Sequence, residues 1–329
     1  MSQSRDESAS SASADEPLRA AQALLRADRE HGASWLARQT AQALSASAQR
    51  ALASPDRALI GAIAVSMRTR ARELTTARPS MAAVANTVAR VCAAGWPPGA
   101  PPRPDDETDR VRAALTSLRD EAERLATGWD SAAAAIATHA RPLAGARVFT
   151  HSRSGTVERV LTARAQPALQ AVVVTESRPG GEGVAAAQAL AATGLTVTLV
   201  ADSAVGLFAH AADAVVLGAD SVRADGSLVN KIGSFPLALA ARAAGIPVYV
   251  LCETLKIAPE GWPLILEEMD AAELLPDPIP GVTARNVYFD HTPAAYITAI
   301  ITETGALAPD AVRPLARAAG DNLASLRAE

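Results

Sequence analysis

Five short apolar runs punctuate the second half of the chain: ARVFT (146–150), AVVVTES (171–177), TVTLVAD (196–202), AVVLGAD (214–220) and VYVLCE (248–253). Their Val and Leu residues are continuous rather than alternating, which marks strands buried on both faces. Most have helix-forming segments between them. Strand and helix in repetition give a parallel doubly wound sheet. Ligands of such sheets sit at the carboxyl ends of the strands. The residues that fall there are His151–Ser152–Arg153, Ser177–Arg178–Pro179, Asp202–Ser203, Gly218–Ala219–Asp220 and Glu253–Thr254.

The first half reads differently. Residues 1–16 are Ser, Ala and acidic residues with little to bury, and are expected as a disordered tail. From Leu18 to about Arg90, Leu24, Leu25, Trp35, Leu36, Leu44 and Leu52 recur near the helical period. Pro55, after Ser54 as N-cap, is expected in the first turn of a third helix, and Pro79 is expected to open a helix running to Val91. The segment 95–107, GWPPGAPPRPDDE, reads as a stiff connector. A helix over 108–140 follows. The expected organisation is an α/β protein: tail 1–16, an all-helical N-terminal domain 17–140, and a Rossmann-like parallel-sheet domain 141–329 with helices on both faces.

Composition narrows the partners. A net charge of −4 leaves no basic excess for nucleic acid or an anionic membrane. The N-terminus has no apolar core of a signal peptide, and no run of eighteen apolar residues occurs, so a cytoplasmic location is expected. Cys92 and Cys252 make no secreted-type disulfide framework. No C-x-x-C or H-E-x-x-H spacing exists, so no metal is expected.

Three segments carry chemistry. In GADSVRADGSLVNKIGSFPLAL (218–239), Asp225–Gly226 suits a hairpin reversal, and Asn230 and Lys231 precede Gly233 and Ser234, which open a helix. Ser234 is a candidate N-cap. A helix N-terminus with a close-approach glycine and a lysine beside it is an anion site; the alternative is a surface lysine next to a tight turn. In TESRPGGEG (175–183) the glycines miss the G-x-G-x-x-G spacing of a dinucleotide fingerprint, which argues against NAD. Arg178 is either a phosphate clamp or the salt-bridge partner of Glu176 or Glu182. In FTHSRSGTVERVL (149–161), Ser152 and Ser154 flank Arg153 after a strand. Each hydroxyl suits a helix cap, a phosphate or a nucleophile, but the G-x-S-x-G elbow of an α/β-hydrolase is absent. His151 is either a base or a packed structural residue.

Taken together, HSRSGTVERVL, TESRPGGEG, GADSVRADGSLVNKIGSFPLAL, VYVLCETLKI and NVYFDHTPAAYITAIITETG resemble, in this order, the initiation factor 2B α/β/δ-type proteins. They equally resemble methylthioribose-1-phosphate isomerase and ribose-1,5-bisphosphate isomerase. DREHGASWLARQ (28–39) and TARPSMAAVANTV (76–88) extend the likeness into the helical half. The resemblance implies a homo-oligomer, expected here as a homodimer, that binds a phosphorylated sugar or nucleotide without a cofactor. The isomerases of the family open the ring of an aldose 1-phosphate and move its carbonyl to give a ketose. Carried over residue by residue, Asp220 is the catalytic acid/base, and Asn230, Lys231, Lys256 and Arg78 hold the substrate; Arg153, Ser154 and Arg178 join them as substrate-binding candidates by their places at the strand ends. The family's phosphate-binding R-G-A matches His31–Gly32–Ala33, leaving Gly32 and Ala33 in place and Arg29 as the substitute arginine. The family's T-H-C is Thr150–His151–Ser152, so Ser152 stands where the isomerases have a catalytic thiol. A thiol supplies a thiolate near neutral pH and an unassisted serine does not. Two readings follow: an aldose–ketose isomerase using Asp220 with Ser152 or His151, and a non-catalytic regulatory protein sensing a sugar phosphate or nucleotide.

Overall fold

A computed structural model of the chain describes residues 3–54, 59–97, 99–143, 145–163 and 169–327. The chain divides into two compact units: Met1–Trp129 with Ala258–Gly261 and Ala316–Glu329, and Asp130–Ile257 with Trp262–Leu315.

The first unit is helical: α1 (Gln3–Ala27), α2 (Ala33–Leu52), α3 (Ile60–Leu74), α4 (Ala82–Gly95) and α5 (Thr108–Thr127). α2, α3 and α5 each bury one apolar stripe, as amphipathic helices of a bundle must, while α4 is buried almost all round. Leu18 and Leu25 of α1, Leu36 and Leu44 of α2, Ile63 and Met67 of α3, Val88 of α4 and Leu115 and Leu118 of α5 form its core. Three expectations change here. Helix α1 begins inside the stretch expected as a tail, and Ala14 and Asp15 are buried. Pro55 lies outside the described residues, and α3 starts only at Ile60, after Leu59. Pro79 sits in the turn before α4, whose N-cap is Met81. The unit also takes the chain's last helix: the Arg68 Nη2 donates to Ser325 O at 3.3 Å and Glu260 N to Ala316 O at 3.0 Å. That helix was placed with the α/β half by sequence order alone. A concavity of about 250 Å³ beside the proline-rich connector is lined by Trp96, Pro97, Pro102, Asp106 and Arg110 and carries none of the candidate residues.

In the second unit the five expected strands are β1 (Arg147–Thr150), β2 (Ala171–Thr175), β3 (Val197–Val200), β4 (Ala214–Leu217) and β7 (Val248–Leu251). Between β4 and β7 come β5 (Ser221–Val222) and β6 (Leu228–Lys231); β8 (Phe289–Thr292), β9 (Ala299–Thr302) and β10 (Gly305–Leu307) follow. The large sheet has the order β10-β9-β7-β4-β1-β2-β3 and is parallel except for β10. The unit's helices are α6 (Trp129–His139), α7 (Gly155–Thr162), α8 (Glu182–Ala191), α9 (Val205–Ala209) and α10 (Ser234–Ala244); α11 (Arg313–Arg327) is the last helix, which from Ala316 onward belongs to the first unit. Gly128 separates α5 from α6, where one helix was expected over 108–140.

Two strand expectations need correction. β3 is an edge strand, and its Leu199 is 46% exposed, so its apolar run is not buried on both faces. The small antiparallel sheet β5-β6-β8 has no apolar run to announce it. Asp225–Gly226 turns β5 into β6, as expected of that pair. Among the described residues, no helix is long and apolar enough to cross a membrane.

Candidate functional site

Strand order locates the site. From β1 the chain steps outward to β2 and β3, then returns to β4 on the other side of β1 and steps outward to β7. β1 and β4 are therefore the switch point, where the loops at the strand ends part to open a crevice. Ser152 follows β1 and Asp220 follows β4.

The two loops touch. A Cβ on Gly218 would lie 2.5 Å from Ser154 Oγ, so only glycine lets them meet there. Ser154 is the N-cap of α7 and accepts from Val157 N at 3.3 Å, which is the capping role. Ser152 holds φ +62°, an uncommon backbone for a residue with a Cβ, and Ser177 after β2 holds the same value. Asp202 after β3 fixes the second of these loops, accepting from Ser177 N at 2.8 Å and Arg178 N at 2.7 Å. Such strain gathers at binding sites because the surroundings over-determine it.

His151 is a structural residue. It is buried, its Nδ1 lies 2.6 Å from Thr175 Oγ1 and its Nε2 2.7 Å from Ile232 O. A carbonyl only accepts, so Nε2 carries the proton and Nδ1 accepts from the threonine. Burial pushes its pKa below the usual histidine value. With both nitrogens engaged, His151 does not serve as the base for Ser152.

The bond from His151 to Ile232 O joins the end of β1 to the end of β6. Asp220 N donates to Val229 O at 3.0 Å, which joins the end of β4 to the same strand. Ser152, Asp220, Asn230 and Lys231 thus share one edge of the unit. Asp220, Asn230 and Lys231 are buried, and Ser152 is half-buried.

Lys231 is neither a surface lysine nor an unpaired cation. Its Nζ donates to Glu182 Oε1 at 2.6 Å and sits 3.6 Å from the centroid of the Tyr288 ring. Glu182 opens α8, where the helix dipole favours a carboxylate. Its Oε2 is buried and has no hydrogen-bond partner among the described residues. Asn230 Nδ2 donates to Ser234 Oγ at 2.9 Å. The N-cap of α10 is Gly233, not Ser234, and Ser234 Oγ donates instead to Lys231 O at 2.7 Å. Nor is the α10 N-terminus an open anion site. Asp290 Oδ2 already accepts from Gly233 N at 2.8 Å and Phe235 N at 3.0 Å.

Lys256 is buried beyond β7, 3.4 Å from Glu253 Oε2, and Glu253 Oε1 accepts from Thr156 Oγ1 of α7 at 2.7 Å. Arg153 turns outward to an ion pair with Glu158 at 3.0 Å, so it is not brought to the site. Arg178 has an exposed side chain and pairs with neither Glu176 nor Glu182.

In the helical unit, Arg29 is exposed, and its Nη1 donates to Arg26 O and Asp28 O at 2.8 Å, at the carboxyl end of α1. That end attracts cations, and here Arg29 caps its own helix. Buried Arg78 donates to Leu25 O at 3.3 Å and Asp28 O at 3.0 Å. Gly32 and Ala33 open α2, whose N-cap has no side-chain hydrogen bond. His31 stands before them, 2.7 Å from Asp28 Oδ2 and stacked on Trp35 at 3.7 Å. Glu182 and Asp290 are the site-edge residues that sequence reasoning did not assign; Glu253 was already among the strand-end residues.

The sequence model of the Initiation factor 2 subunit family matches residues 29–309. A ribose 1,5-bisphosphate isomerase of Archaeoglobus fulgidus is 48% identical over 122 residues, 36% of this chain and 39% of that protein. A methylthioribose-1-phosphate isomerase of Syntrophotalea carbinolica is 40% identical over 137 residues, 37% of this chain and 39% of that protein. The matched stretches thus span about two fifths of the length of these curated relatives. The crystal structure of a translation initiation factor eIF-2B from Pyrococcus horikoshii superposes with a TM-score of 0.69 at 29% identity, covering 89% of this chain and 97% of that one.

Proposed function

The chain belongs to the initiation factor 2 subunit family, and from that premise we propose that it binds a phosphorylated sugar and converts an aldose 1-phosphate to a ketose. The observation that carries this reading is the gathering of Ser152, Asp220, Asn230 and Lys231 on one edge at the β1/β4 switch point. Lys231 supplies the cation for a phosphate, and the open acceptor Glu182 Oε2 suits a sugar hydroxyl. In the reaction the ring oxygen takes up a proton as its bond to C1 breaks. The ring oxygen keeps the electron pair of that bond, so a hydride then passes from C2 to C1 while the C2 hydroxyl loses its proton and becomes the carbonyl. Asp220, buried at the strand end, is the group for these proton transfers. The test is turnover of ribose 1,5-bisphosphate, methylthioribose 1-phosphate and ribose 1-phosphate, with the ligand that co-purifies identified by native mass spectrometry.

One observation favours the second reading, a regulatory protein that senses such a ligand without converting it. His151 commits both nitrogens to Thr175 and Ile232, so Ser152, which the resemblance sets where the isomerases have a thiol, has no histidine to activate it. Under either reading Lys231→Ala should weaken sugar-phosphate binding by about 2–5 kcal/mol, because it also strands the Glu182 carboxylate. Calorimetry with unchanged affinity for every ligand that binds the wild type would remove Lys231 from the site.

The α/β unit is proposed to form a homodimer. Exposed Leu264, Ile265, Leu266, Leu274, Ile279 and Val282 offer apolar surface to bury. The surface lies before β8, whereas Ile300 and Ile301 of β9 are buried. Light scattering at micromolar concentration should give twice the 33.8 kDa chain mass; a monomer only would count against the dimer.

A further inference from the structure

Asp290 lies on β8 directly opposite Asn230 of β6. Its Oδ2 accepts from the amides of Gly233 and Phe235, and the Ser234 amide bonds to the carboxylate as well. Its Oδ1 is buried and has no hydrogen-bond partner among the described residues. Helix N-termini attract anions, and here the protein supplies its own.

The amides it holds form the corner that follows Lys231. Gly233 turns there with φ +108°, and a Cβ on it would meet His151 Cε1 at 2.5 Å. Ile232 O is held by His151 Nε2. The corner is therefore clamped from two sides, by His151 at the end of β1 and by Asp290 on β8. Asn230 and Lys231 enter it directly, and Ser234 ties them to it through Asn230 Nδ2 and Lys231 O. Neither group of the ligand-facing pair can shift without moving this corner.

We propose that Asp290 is a positioning residue of the phosphorylated-sugar site: acting through the α10 N-terminus it fixes the Ile232–Gly233 corner that aims Asn230 and Lys231, and as resident anion it keeps phosphate off that helix end. Burial raises the carboxyl pKa to about 6 even though three amides pull it down. A group that costly to keep ionised earns its place through what it holds. The proposal rests on the sugar-phosphate reading for its consequence in binding, but not for its effect on the corner.

The first measurement needs no sugar. In the full chain, Asp290→Ala should speed hydrogen exchange of the Gly233–Phe235 amides by about tenfold or more, since those bonds lose their acceptor. Asp290→Asn, which keeps an acceptor oxygen, should do so less. Formate should slow exchange again in Asp290→Ala by refilling the vacated space, and inorganic phosphate should protect these amides in Asp290→Ala but not in the wild type. Exchange at 233–235 that is unchanged in both variants overturns the proposal, as does phosphate protection of the wild-type amides. Should Asp290→Ala fail to fold, Asp290→Asn carries the exchange test alone.

The second measurement is calorimetry with ribose 1,5-bisphosphate. Asp290→Ala should bind about tenfold or more weakly and recover with formate. Wild-type affinity in an Asp290→Ala protein whose corner exchanges fast overturns the positioning role. No sugar-phosphate binding by the wild type, with the exchange and phosphate effects intact, instead defeats the functional reading and leaves the corner assignment standing.

Discussion

Asp220→Asn is expected to cut turnover of an aldose 1-phosphate by about 10²–10⁴-fold, the contribution of one positioned acid or base. The amide keeps the size and hydrogen-bonding capacity of the carboxyl but exchanges no proton. Asp220 is buried where β4 ends, and its backbone amide is pinned to Val229 O, a bond the substitution leaves in place. Ligand affinity should therefore stay within about tenfold, or 1.4 kcal/mol. Loss of turnover together with loss of binding would assign Asp220 to holding the ligand instead. Ser152→Cys separates the two functional readings. The backbone of Ser152 already holds φ +62°, a strain that cysteine meets equally, and the exchange swaps one Oγ for one Sγ. If only the missing thiol limits chemistry, the rate should rise. A wild type that converts none of the three aldose 1-phosphates, with no gain from Ser152→Cys, hands the site to the sensor reading.

The sheet was legible in the sequence for a physical reason. Central parallel strands are buried on both faces, so β2 and β4 print as unbroken Val and Leu runs and β1 and β7 as short apolar runs with an aromatic inside. The same signal misled at β3, where Leu199 lies in an edge strand with an exposed face. It was silent at β5, whose two residues are too few to make a pattern. Strand order then converts sequence positions into a site: the residues after β1 and β4 become neighbours only because the sheet reverses direction there.

The charges were less legible. Ser154 as a helix cap is a local matter and could be read from its place before α7. Partnerships across the fold could not. Lys231 pairs with Glu182, 49 residues away, and the α10 N-terminus takes its anion from Asp290, 57 residues beyond Gly233. A sequence shows that a helix end wants a negative charge; it does not show which carboxylate arrives. Arg29 and Arg153 pair locally instead, each with an acceptor within five positions of itself.

Gly183→Ala should destabilise the protein more than any exposed substitution, by about 3 kcal/mol, at the upper end of overpacking costs. A Cβ there would lie 1.7 Å from Thr175 O, 2.9 Å from Thr175 C and 3.0 Å from Glu176 C. These are backbone atoms at the end of β2, which is held between β1 and β3 and has no room to retreat. Gly183 N also donates to Glu176 O at 3.1 Å, so the first turn of α8 is bonded to the surface it would have to leave. The helix must move outward, and Glu182, one residue earlier, must move with it. The loss should therefore appear twice: as a melting temperature lower by roughly 6–12 °C, at about 2–4 °C per kcal/mol for a unit of this size, and as faster labelling of Lys231 by an amine reagent once its carboxylate is gone. Gly206→Ala is the control. It lies in α9, its Cβ would meet nothing within 4 Å, and its backbone is not left-handed. It should be neutral or stabilise by about 0.4–1 kcal/mol through the unfolded chain. A Gly183→Ala protein that melts within the range of Gly206→Ala, with Lys231 still protected, would show that α8 does not rest on β2 at the distance described and would detach Glu182 from the site.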